Sequence, residues 1–87
     1  MKKPLKRSIL VVEDDESIRF LLRENLEYEG FEVIEAEEGE AGMKLAETAD
    51  PDLILLDLML PNMSGMEICK RLRATGNDVP IIMQVGS

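Results

Sequence analysis

Leu53-Ile54-Leu55-Leu56-Asp57 is a wholly apolar run closed by an acid. Bulky apolar residues in unbroken succession fit a strand buried on both faces, the mark of a parallel sheet covered by helices. Asp50-Pro51-Asp52 forces a break before it, and Leu60-Pro61-Asn62 marks a turn after it. Ser8-Ile9-Leu10-Val11-Val12 repeats the design and is followed at once by Glu13, Asp14 and Asp15. Two such strands belong side by side at a sheet centre.

The segments around them alternate in period. From Ser17, Ile18, Leu21, Leu22 and Leu26 form an amphipathic helical stripe that Gly30 stops. Phe31 to Ala36 is extended but more polar, which suits an edge strand. Between Gly39 and Thr48, Ala41, Leu45 and Ala46 make a weaker helix, diluted by Gly42 at about 1 kcal/mol relative to Ala. Ser64-Gly65-Met66-Glu67 fits the capping box that opens a third helix, with Met66, Cys69 and Leu72 beside Ile68 as its apolar face and Thr75-Gly76-Asn77 as its end. Pro80 to Val85 reads as a fourth strand. The order β-α-β-α-β-α-β predicts an α/β fold with right-handed crossovers and a doubly wound parallel sheet. Met43, Met66 and Met83 are expected in the core, Met59 and Met63 at the surface.

Composition narrows the function. The 87 residues set 10 basic against 18 acidic side chains, a net charge of −8, and contain one Cys and no His. One small domain is implied, residues 8–87, preceded by a basic tail at 1–7 in which Lys2, Lys3, Lys6 and Arg7 lie. All the acids follow that tail, so phosphate neutralisation on nucleic acid is not expected. No apolar run spans a bilayer and no secretory leader is recognisable, so a cytoplasmic protein without membrane contact is expected. The absence of His and of a second Cys excludes thiolate/imidazole catalysis, the usual zinc sites and an internal disulfide.

Carboxylates remain. In a parallel sheet the functional crevice lies outside the carboxyl ends of the strands. There Glu13 and Asp14 follow the first strand and Asp57 ends the third, so three like charges converge, which is unfavourable unless one is protonated or a cation sits among them. Oxygen donors without imidazole or thiolate suit Mg²⁺. Asp15 and Glu16 fit better as acids at a helix N-terminus.

Val11-Val12-Glu13-Asp14-Asp15, then Leu53 through Gly65, then Val79-Pro80-Ile81-Ile82-Met83 together resemble the receiver domain of bacterial two-component response regulators. The resemblance runs from Ser8 to Met83 and includes Gly30-Phe31-Glu32-Val33. It implies a flavodoxin-like fold that is not an enzyme in the usual sense, in which Asp57 accepts a phosphoryl group from a histidine kinase or phosphotransfer protein. It further implies that Glu13, Asp14, Asp57 and the Met59 backbone carbonyl hold Mg²⁺ or Mn²⁺ weakly. Receivers have about five βα units, with a Thr or Ser ending the fourth strand and a Lys ending the fifth. The hydroxyl position here is Val85, and Ser87 lies about 6.6 Å further along.

The sequence therefore reads as a receiver truncated after its fourth strand, with impaired signalling and an incomplete sheet completed by self-association as a homodimer. The alternative is a non-signalling fragment whose main property is that assembly. A dehalogenase-type hydrolase would need an acid where Met59 stands. A flavin binder would need a phosphate cradle where Glu13-Asp14-Asp15 stands.

Overall fold

The computed structural model describes residues 6–84. Most of the basic tail and the Val85 and Ser87 positions lie outside the described residues. The elements are β1 (Ser8–Val12), α1 (Glu16–Tyr28), β2 (Glu32–Ala36), α2 (Gly39–Thr48), β3 (Leu53–Asp57), α3 (Gly65–Ala74) and β4 (Ile81–Gln84). The sheet runs β2-β1-β3-β4, all pairs parallel. The two apolar strands are central neighbours, with Leu10 opposite Ile54 and Val12 opposite Leu56. The more polar β2 is an edge, as its Glu32 and Glu35 require.

Alternation along the strands divides the apolar residues between two faces. Leu10, Val12, Ala36, Ile54 and Leu56 meet Ala46 of α2 and Ile68 and Leu72 of α3 in one buried cluster. The opposite face carries Ile9 and Val11, and α1 packs on β1 and β2 there. No residue of α1 is fully buried, Phe20 and Leu21 are exposed, and Ile82 of β4 is 51% exposed.

The caps form as the sequence predicts. Asp15 Oδ1 accepts from the Ile18 N–H at 3.0 Å, and Ser64 Oγ from the Glu67 N–H at 3.1 Å. Two methionine assignments reverse. Met66 is exposed, whereas Met63 packs against the core. On α3 the buried pair is Ile68 and Leu72, four apart, and Met66 lies two residues before Ile68, about 200° around the helix. Gly42 is also more than a diluted helix position. A Cβ there would lie 2.8 Å from Val12 Cγ2, so the bare backbone is what allows α2 to sit on β1.

Candidate functional site

Strand ends build the site. β1 delivers Glu13 and Asp14, and β3 delivers Asp57 beside them because the two strands pair in register. Carboxylate oxygens of Glu13, Asp14 and Asp57 all lie within 4.8 Å of one another. Glu13 and Asp57 are buried, at 1% and 3% exposure, while Asp14 is exposed. Sequence reasoning expected these three to converge, and they do.

Local hydrogen bonds fix the two buried acids. Asp57 Oδ1 accepts from the Met59 N–H at 3.1 Å, and Glu13 Oε2 accepts from the Asp15 N–H at 3.1 Å. Among the described residues Glu13 Oε1 is buried with no hydrogen-bond partner. Burial raises the Glu13 carboxyl above its ordinary range, and the charges of Asp57 and Asp14 add to that, while the bond from Asp15 opposes it. A buried, unpartnered carboxylate oxygen facing two further acids is the environment that a hard cation relieves, so the donor set fits Mg²⁺ or Mn²⁺. Asp15 is taken up by the α1 cap, and Glu16 lies in the first turn of that helix.

The loop after β3 is held close. The Gly65 N–H donates to the Leu58 carbonyl at 2.9 Å, and a Cβ on Gly65 would lie 2.7 Å from the Asp57 carbonyl oxygen. Met59 is 72% exposed at the mouth of the site. One participant escapes the sequence reading. Arg19, which lies outside the apolar stripe of α1, donates from Nη1 to the Glu13 carbonyl at 2.8 Å and from Nε to Glu35 Oε1 at 3.2 Å. The available signal was an Arg one turn into α1 together with Glu35 and Glu37 at the end of the neighbouring strand.

A family model described as response regulator receiver domain matches residues 9–87. The chain belongs to this family. The receiver chain is 52% identical over 79 residues to the alkaline phosphatase synthesis transcriptional regulatory protein PhoP of Bacillus subtilis, a match that covers 91% of the chain and 33% of that relative. It thus spans about a third of the length of such curated relatives. Among solved structures it superposes on the receiver domain of a Luxo repressor protein from Vibrio parahaemolyticus with a TM-score of 0.87 at 29% identity, covering 95% of this receiver and 65% of that chain. It also superposes on the response regulator protein TrrA of Thermotoga maritima, solved in complex with Mg(2+)-BeF, with a TM-score of 0.84 at 40% identity, covering 88% and 67%. No helix among the described residues is long and apolar enough to cross a membrane.

Proposed function

We propose that the chain is the phosphoacceptor portion of a response regulator, with Asp57 taking a phosphoryl group from the phosphohistidine of a histidine kinase or phosphotransfer protein. The observation that carries this is the burial of Asp57 at the end of β3 with Glu13 and Asp14 gathered against it. An Asp57 carboxylate oxygen forms the new O–P bond as the P–N bond breaks, and the imidazole nitrogen keeps the electron pair. Glu13, Asp14, Asp57 and the Met59 carbonyl hold Mg²⁺ or Mn²⁺ in this reading, a role that the Mg(2+)-BeF complex of TrrA supports by analogy. Bound there, the ion offsets negative charge on the transferring phosphoryl oxygens. Intact mass after treatment with a phosphorylated kinase or a small phosphodonor tests the reading. One phosphoryl adduct is expected, and it is lost in Asp57→Asn; an adduct that survives in Asp57→Asn overturns it.

For the 87-residue chain itself we infer slow phosphorylation and self-association. Val85 stands where receivers place a hydroxyl, and losing one preorganised donor at a charged transition state commonly costs about 3 to 4 kcal/mol. Val85→Thr is expected to speed adduct formation. Association is supported by the contrast between the sheet edges: β2 carries Glu32 and Glu35, whereas β4, Ile-Ile-Met-Gln, is uncharged and presents Ile82. Charge guards one edge, and among the described residues nothing pairs with the other, which in this reading takes a second copy in a two-fold arrangement. Sedimentation equilibrium at tens of micromolar decides. A dimer that Ile82→Lys dissociates is expected, and a single 9.8 kDa species would defeat it.

A further inference from the structure

We propose that Arg19 is the positioning residue of the acidic cluster, clamping the Glu13 carbonyl so that the Glu13 carboxylate stays beside Asp14 and Asp57. The inference rests on the metal-site reading above and adds a residue to it. Three acids in one corner, one of them with a buried unpartnered oxygen, drive the turn after β1 to swing toward water. Something must hold it. The Glu13 N–H is tied to the Ala36 carbonyl of β2 at 3.0 Å, and the Glu13 carbonyl accepts from Arg19 Nη1 at 2.8 Å. Residue 13 is therefore held through both of its flanking peptide groups, and the direction of its side chain follows.

Arg19 is itself anchored. Its side chain is only 12% exposed, its Nε reaches Glu35 Oε1 at 3.2 Å, and its Nη2 lies 3.9 Å from Glu37 Oε2. The planar fork of a guanidinium allows one side chain to bridge a carbonyl and a carboxylate at once. Arg23 lies 3.3 Å from the other Glu35 oxygen but makes no bond to the cluster, which makes it the natural control. Among the described residues no other Lys or Arg hydrogen-bonds to Glu13, Asp14 or Asp57.

The test compares the unsubstituted chain with Arg19→Gln, Arg19→Lys and Arg23→Gln, titrating Mg²⁺ while following amide shifts at residues 13–15 and 57–59. Loss of a residue that orients a metal ligand typically weakens metal affinity 10- to 100-fold, and about tenfold is expected for Arg19→Gln. Arg19→Lys should lose less, because an ammonium can still donate to the Glu13 carbonyl, and Arg23→Gln should bind as the unsubstituted chain does. Unchanged affinity in Arg19→Gln, or an equal loss in Arg23→Gln, overturns the proposal. A second readout needs no metal: the Glu13 carbonyl ¹³C resonance should move in Arg19→Gln and stay in Arg23→Gln. If the unsubstituted chain shows no Mg²⁺ response, the metal reading fails, and that resonance still decides the clamp. Should Arg19→Gln fail to fold, Arg19→Met, which has similar length and no donor, carries the same comparison, and a Glu13 carbonyl unmoved in it overturns the clamp.

Discussion

The two faces of this sheet are built to different standards. On one, α2 and α3 close over Leu10, Val12, Ile54 and Leu56, and both helices approach the sheet through a glycine, Gly42 against Val12 and Gly65 against the Asp57 carbonyl. On the other, α1 rests on β1 and β2 with no fully buried residue, and Ile82 of β4 is half exposed. Apolar residues occur on both, so the difference lies in what covers them. The acidic cluster is accordingly tied to both faces, to the α2/α3 face by the close approach of Gly65 to Asp57 and to the α1 face by the Arg19 hydrogen bond to the Glu13 carbonyl.

The largest expected break in that contrast comes from truncating one leucine on each face. Leu56→Ala removes a fully buried side chain between α2 and α3 and should cost about 2 to 5 kcal/mol, a large share of the stability of so small a domain. Leu21→Ala on exposed α1 should stay within about 0.5 kcal/mol. Urea titration followed by far-UV circular dichroism reads both. Equal losses would mean that α1 is as well buried as its counterparts.

Gly42→Ala comes next. In a free helix the change would be favourable by about 1 kcal/mol. Here the new Cβ would lie 2.8 Å from Val12 Cγ2, against a β1 residue that has no room to yield, so a net loss of about 1 to 3 kcal/mol is expected. A gain in the same urea titration would show that α2 can slide on the sheet.

The helix caps refine the comparison at about 1 kcal/mol each. Ser64→Ala weakens α3 on the packed face, and Asp15→Ala weakens α1 on the thin one. Amide hydrogen exchange should accelerate through α1 in Asp15→Ala, because little tertiary burial resists its fraying. In Ser64→Ala the change should stay within the first turn of α3, pinned by Ile68 and Leu72.

These differences mark what the sequence makes legible. Unbroken apolar runs in Leu53–Leu56 and Ile9–Val12 announce central parallel strands because only a strand covered on both faces tolerates them, and the acids that close those runs must then meet. Caps are local and equally readable in Asp15 and Ser64. What a single stretch does not carry is contact between distant segments. Gly42 reads as a weak helix position until Val12 is placed against it, and Arg19, outside the apolar stripe of α1, has no visible partner until β2 brings Glu35 alongside. Met63 and Met66 trade places for the same reason, since the direction of α3 is set by the pair that the sheet buries.

The finest test concerns charge in the cluster that both faces support. The Glu13 carboxyl is raised above its ordinary value of 4.5, first by burial and then by the charges of Asp57 and Asp14. In metal-free protein the folded state therefore holds that proton more tightly than the unfolded chain. The contribution of this one group to stability is accordingly fully present below the ordinary glutamate value and is lost as pH rises from there through the raised one, with a slope of at most about 1.4 kcal/mol per pH unit for a single proton. Glu13→Gln removes this dependence. The variant should be more stable than the unsubstituted chain at neutral pH in chelator, and the difference should close as pH falls toward 4.5. Saturating Mg²⁺ should reverse the ranking at neutral pH, since the ion binds the charged carboxylate and has less to hold in the amide. Urea midpoints across this pH range, with and without Mg²⁺, supply the measurement. A Glu13→Gln chain that tracks the unsubstituted one throughout would show that Glu13 is relieved by water and that the cluster is open.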